Sequence, residues 1–206
     1  IRPQQGLKDH PRFHGKVQYY SAQDGKMTVG LYTIIPERLF TLFPDLGLPQ
    51  FRLARKLYKK LGKAWVQEAR EVYGAEGHAG VGRLADYKMK HVIEALMLKL
   101  SSLSHDLFPA SDYSFVDSVT QNLCKGITCL VDISGISSEE QNKITCLTAS
   151  TVAQHFKHMW EENYEEWKNL PTLLITLEEA HEFLDPNKPG SVFSSIALTY
   201  RKYRVG

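Results

Sequence analysis

The sequence predicts an α/β fold, a parallel sheet with helices on both faces, and three observations lead there. Short strand-like runs occur at Lys16–Tyr20, Ile127–Ile133 and Thr172–Leu177, and the last two are almost continuously apolar, the pattern of strands covered on both faces of a parallel sheet. The roughly 40 residues between the second and third runs hold one long helical pattern, the size of a right-handed βαβ crossover, so these two strands are expected to lie parallel. With 43% hydrophobic and 23% charged side chains in 206 residues, the chain has apolar material for one sizeable core or two small ones.

The remaining elements follow in order. From Leu53 the apolar positions Leu53, Leu57, Leu61 and Trp65 recur every four residues, with Arg52, Arg55, Lys56, Lys59, Lys60 and Lys63 on the remaining surface, a basic amphipathic helix. A second helix is expected from Leu84 to Leu103 and a short one from Asp112 to Leu123. The third long helix starts at a capping signal, Ser137 or Ser138 followed three residues later by Glu140 or Gln141. Its apolar stripe runs through Ile144, Leu147, Val152, Phe156, Met159 and Trp160 to an acidic end at EENYEEW. Residues 36–123 therefore read as a helical insertion, and residues 1–35 with 124–206 as the α/β core.

Composition excludes several classes. No run approaches the ~18 consecutive apolar residues of a membrane helix, and IRPQQGLKDHPRFHG has no hydrophobic signal region. Cys124, Cys129 and Cys146 are odd in number and lack zinc-like spacing, which fits core residues in a reducing compartment. The expectation is a soluble cytoplasmic chain with no integral membrane segment. Lys and Arg number 25 against 23 Asp and Glu, and a formal charge of +2 argues for no polyanionic partner by itself; any basic surface must be local. The chain opens on Ile and closes on RKYRVG just as an apolar pair begins, which reads as a piece of a longer polypeptide.

The strongest chemical signal is TLLITLEEAH, Thr172–His181. An apolar strand ending in two carboxylates sets both at the carboxyl edge of a parallel sheet, where open α/β sheets bind ligands. Two readings fit. Glu178 and Glu179 hold magnesium and polarise a water, which would satisfy both charges; or the strand stops and the acids begin a helix, complementing its dipole. Competing motifs fail on spacing. Gly77–Leu84, GHAGVGRL, has the glycine spacing of a phosphate loop, but Arg83 and Leu84 stand where Lys and Ser or Thr are required and no strand precedes it, so it reads as a turn between helices. His181-Glu182 would need a second His at position 185, which is Asp185. The pairs His10/His14 and His155/His158 lack a third ligand nearby, and no G-x-S-x-G supports a serine nucleophile.

The run Glu178-Glu179-Ala180-His181 after an apolar strand, a loop, and a helix leading to Arg201-Lys202-Tyr203 resembles the Walker B region and following helix of the HerA-like ATPases of the FtsK/HerA superfamily. Val131-Asp132-Ile133-Ser134-Gly135, followed by a Ser-led helix with Gln141 near its start, is similar to the same family's preceding strand. The resemblance covers about Gly126–Gly206 and more loosely the first 40 residues, where Gly6–Tyr20 is similar to the stretch after the family's second strand. It implies a P-loop NTPase-type (RecA/ASCE-like) sheet, ATP and Mg2+ as cofactors, Glu178 holding magnesium through its water shell, and Glu179 orienting and activating the attacking water. It implies a role for Arg201 as a cation reaching the nucleotide of a neighbouring subunit, and a hydrogen-bonding, non-catalytic role for His181. Tyr200 stands where the family has Gly, and G-x-x-x-x-G-K-[ST] is absent, so no residue for cradling the phosphates is assigned. By resemblance the activity is that of an ATP-driven DNA translocase or helicase-like motor, a homo-oligomeric, hexameric ring on double-stranded DNA, in a family that works beside nucleases. Two alternatives stay open: a conjugation or secretion ATPase of the same superfamily, and a non-enzymatic DNA- or protein-binding module derived from an ATPase.

Overall fold

The computed structural model describes residues 11–178 and 192–206. The chain is a mostly helical α/β protein with a small parallel sheet. Its strands are β1 (Val17–Ser21) and β2 (Thr128–Asp132). Its helices are α1 (Leu39–Leu42), α2 (Leu48–Leu61), α3 (Trp65–Ala85), α4 (Lys90–Ser101), α5 (Phe115–Cys124), α6 (Ser138–Glu162), α7 (Tyr164–Trp167) and α8 (Val192–Thr199). They form two compact units, one from the chain up to Lys26 together with Phe115–Gly206, the other Met27–Ser114. No helix among the described residues is long and apolar enough to cross a membrane.

In the first unit β1 and β2 pair in parallel, Val17 opposite Thr128 and Ser21 opposite Asp132. The expected cover on both faces of the 127–133 run is not what forms. Cys129 turns towards α5, its Sγ 3.8 Å from the Val119 carbonyl, while Thr128 and Leu130 on the opposite face are exposed. An apolar run records what can be buried; cover depends on a second layer from elsewhere in the chain. The run Thr172–Leu177 differs more. It makes a parallel bridge through Leu173 to Val205, with Leu173 N–H donating to the Arg204 carbonyl at 2.9 Å and Ile175 N–H to the Gly206 carbonyl at 2.7 Å, and it does not pair with β2. Leu173 is buried, whereas Leu174 is 76% exposed, so this segment too alternates.

The long helix α6 starts where its cap predicts. Ser137 Oγ accepts from Glu140 N–H at 3.3 Å, and the Glu140 carboxylate accepts from Ser137 N–H at 3.1 Å, so two of the donors a helix N-terminus leaves unpaired are satisfied reciprocally. Gln141 Nε2 donates to the Ile133 and Ile136 carbonyls, both at 3.2 Å, holding the turn between β2 and α6. Ile144, Leu147, Val152 and Phe156 are buried as their spacing predicts, and Trp160 packs edge-on against Tyr203. Ser137→Ala is expected to cost about 1 kcal/mol, measured as a lower urea midpoint with an unchanged slope.

The second unit is helical. Gly47 precedes α2, its N–H donating to Gln50 Oε1 at 2.7 Å, and Pro49 sits in the first turn, where a missing N–H costs nothing. Leu53, Ala54 and Leu57 are fully buried. Gly62, at φ 64°, ends the helix, so Trp65 opens α3 instead of closing α2. The single helix expected over Leu84–Leu103 is instead the end of α3 and all of α4, because Asp86 adopts a left-handed conformation at φ 47° that stops α3. GHAGVGRL does hold a break between helices, as its glycines predict, but the break is a single residue: Gly77, whose φ of 63° and ψ of −155° suit glycine, separates two helical stretches of α3, and the rest of the run is helical.

Candidate functional site

Glu178 lies in a turn directly after the extended 172–177 segment and is exposed. Among the described residues its carboxylate has no ion pair or hydrogen bond. Glu179 and His181 lie outside the described residues. Leu173 and Ile175, paired with the Arg204–Gly206 backbone, fix the strand that leads to Glu178.

Arg201 opens a short 3-10 turn, Arg201–Tyr203, after α8. Tyr200 has φ −94° and ψ −4°, right-handed helical geometry open to any residue, so glycine is not needed there. The turn is mounted on aromatic rings. Tyr203 is buried and meets Trp160 at 5.3 Å and Tyr200 at 5.5 Å between centroids, and Trp167 Nε1 donates to the Tyr203 carbonyl at 3.4 Å. The neighbouring cations belong to this packing. Lys202 Nζ sits 4.8 Å from the Tyr203 centroid, and Arg204 lies 4.4 Å from the Trp167 ring and donates to the Lys168 carbonyl at 3.1 Å. Arg201 is exposed and has no partner among the described residues. Arg201 precedes Val205 in the parallel pairing and Glu178 follows Leu173, so the two lie at opposite ends of it, and the structure does not bring them together within one chain.

The carboxyl end of β2 holds a pair that sequence reading missed. Tyr19 Oη donates to Asp132 Oδ2 at 2.5 Å, and Ser134 N–H donates to Asp132 Oδ1 at 2.9 Å. Tyr19 stands opposite Leu130, which makes Asp132 its diagonal neighbour on the same face. The Tyr19 hydroxyl, working against burial and with help from Ser134, holds the Asp132 carboxyl below its usual range. The same bond, added to burial, raises the Tyr19 hydroxyl above 10.0. The signs differ at the two extremes of pH. Asp132 contributes stability above its unfolded pKa that is lost as pH falls through the lower folded value; Tyr19 contributes stability below 10.0 that is lost as pH rises through the higher one. In Asp132→Asn, Tyr19 is expected to ionise at lower pH, read as tyrosinate absorbance after subtraction of Tyr19→Phe.

The other nucleophiles and ligands are quiet. Burial raises the pKa of all three free cysteines, Cys129 to about 11, so none is a thiolate at neutral pH. No group of three or more His, Cys, Asp or Glu side chains that would enclose a metal occurs among the described residues. His155 is held below its usual pKa by burial and then by His158. An open cleft of about 200 Å³ between α6 and α8, lined by Ser150, Gln154, Ser195, Ile196 and Tyr200 among others, has no charged side chain among the described residues that line it. No family model, curated protein or solved structure matches the chain.

Proposed function

We propose that this chain carries the Walker B and arginine portions of a HerA-like, ATP-driven DNA motor built on a P-loop NTPase-type sheet. The observation that carries the reading is the exposed Glu178 at the end of an apolar segment in parallel pairing with Val205, with Glu179 next in sequence. The Ser137-capped helix after β2 and Arg201, exposed and without a partner among the described residues, support it.

Magnesium is held through one or two carboxylates, waters and substrate phosphates. An exposed carboxylate without a partner among the described residues suits that role, so Glu178 fits as its holder. The phosphate loop is another matter, because G-x-x-x-x-G-K-[ST] occurs nowhere in the 206 residues; the reading requires that loop from elsewhere in the polypeptide or assembly. When bound, magnesium supplies charge neutralisation at the phosphates. Glu179 orients the attacking water and accepts its proton. Arg201, remote from Glu178 in its own chain, presents its guanidinium to the nucleotide of a neighbouring subunit, which makes the working form a ring. Magnesium-dependent, duplex-stimulated ATP turnover of the complete encoded polypeptide, with and without Glu179→Gln, tests the reading.

A further inference from the structure

Charge along the chain is nearly balanced, yet between Asp45 and Glu68 there are six cations and no acidic residue. All six lie on or just after α2. Leu53, Ala54 and Leu57 are 0% exposed, so the apolar side of the helix is used within its own unit. The cations occupy the opposite side: positions 52, 56, 59 and 60 recur about once per turn and run roughly 12 Å along the axis at ~1.5 Å per residue, and Lys63 follows just past the end of the helix.

Few of these charges are neutralised. Arg55 meets Glu37 at 4.0 Å and Lys63 meets Asp112 at 3.6 Å, with every partner more than half exposed, and such pairs are worth about 0–1 kcal/mol and yield to a competing anion. Lys56 donates to the Asp86 carbonyl at 2.9 Å and lies over the Tyr87 ring, contacts that orient the ammonium without cancelling its charge. Arg52, Lys59 and Lys60 are exposed and have no partner among the described residues.

We infer that this stripe is a contact surface for the phosphate backbone of duplex DNA. A membrane-surface helix buries its apolar face in lipid, and here that face is inside the protein. A protein partner would favour a surface with an apolar centre and few lysines; here the exposed apolar side chains, Leu48 and Phe40 packed on Phe51, lie towards the start of α2, and the cations continue past them to its end. Duplex DNA offers one negative charge per ~1.7 Å of axis, so several phosphates fall within reach of the stripe. Four of the six cations are lysines, point charges without the planar fork that reads base edges, so the contact is indifferent to sequence. The inference rests on the motor reading only for its choice of duplex DNA.

The experiment is fluorescence anisotropy of a labelled duplex with the 206-residue chain across a salt series, without nucleotide. In the triple variant Arg52→Gln, Lys59→Gln, Lys60→Gln the slope of log K against log salt is expected to shrink by about 2.7, three contacts at ~0.9 each. A control with the same loss of charge in the other unit, Lys16→Gln, Lys26→Gln, Lys125→Gln, keeps the wild-type slope. Thermal melts of both confirm folding, and all six positions are exposed. Equal slopes for the two variants overturn the inference. So does wild-type chain that ignores duplex, including one that binds vesicles of anionic phospholipid instead. Because no nucleotide is present, failure here leaves the role of Glu179 standing, and loss of the Glu179 role leaves this surface standing.

Discussion

Glu179→Gln in the complete encoded polypeptide is expected to lower ATP turnover by about 10²–10⁴-fold, the range associated with a positioned general base, while nucleotide affinity stays within a few-fold. The amide keeps the size and most of the hydrogen-bonding shape of the carboxylate but does not accept a proton from water. Glu178→Gln separates the neighbouring role: it is expected to raise the magnesium concentration needed for half-maximal turnover, since its proposed task is to hold the ion. Turnover and nucleotide binding measured on both variants distinguish base from metal holder. Unchanged turnover in Glu179→Gln removes the assignment, and the acids after Leu177 then read as helix-starting residues alone.

Trp65→Ala is expected to be the most damaging single change to stability. Trp65 is 0% exposed, and its Nε1 donates to the Ile34 carbonyl at 2.7 Å in the core of the Met27–Ser114 unit. Truncation opens a cavity costing about 3–5 kcal/mol and leaves a buried carbonyl unpaired at about 1–3 kcal/mol more. Against a typical total of about 5–15 kcal/mol, that removes most of the margin. Trp65→Phe keeps most of the apolar volume and loses the hydrogen bond, so it is expected to cost clearly less. Urea unfolding followed by far-ultraviolet circular dichroism gives both values, and equal losses would show that the hydrogen bond, rather than the filled volume, carries the effect.

What was legible in the sequence was local. The cap at Ser137 and the stripe of α6 need only neighbours within a few residues, and both form as read. β1 and β2 start and stop within about one residue of their apolar runs, the usual uncertainty at element ends. Burial was not legible, because whether Leu130 or Leu174 is covered depends on a layer contributed from far along the chain. The division between α3 and α4 was hidden because Asp86 is not glycine yet takes the left-handed conformation, so the leucine spacing runs past the break unmarked. Glu178 and Arg201 are site candidates from motif reading alone, and their separation to opposite ends of a parallel pairing follows only from the register of Leu173 with Val205. The Tyr19–Asp132 pair needs the register of β1 on β2, which no single stretch of sequence carries.

The way the chain threads its two units also predicts an order of assembly. Tyr19 and Asp132, 113 residues apart, must meet for the sheet to form. The Met27–Ser114 unit lies wholly between them, and its two ends are tied by the antiparallel bridge Val29 to Ser114 and by Gly30 N–H donating to the Tyr113 carbonyl at 2.7 Å. Helical contacts close in sequence form fast, and once they have tied those ends the loop left to close shrinks to roughly 28 residues, sparing about 1.2 kcal/mol of closure entropy. On this account the helical unit, which contributes no strand to the sheet, is expected to ease its closure by shortening the loop. Refolding of Trp65→Ala should therefore show slow sheet formation as well as lost helix, a lesion in one unit registered as a delay in the other.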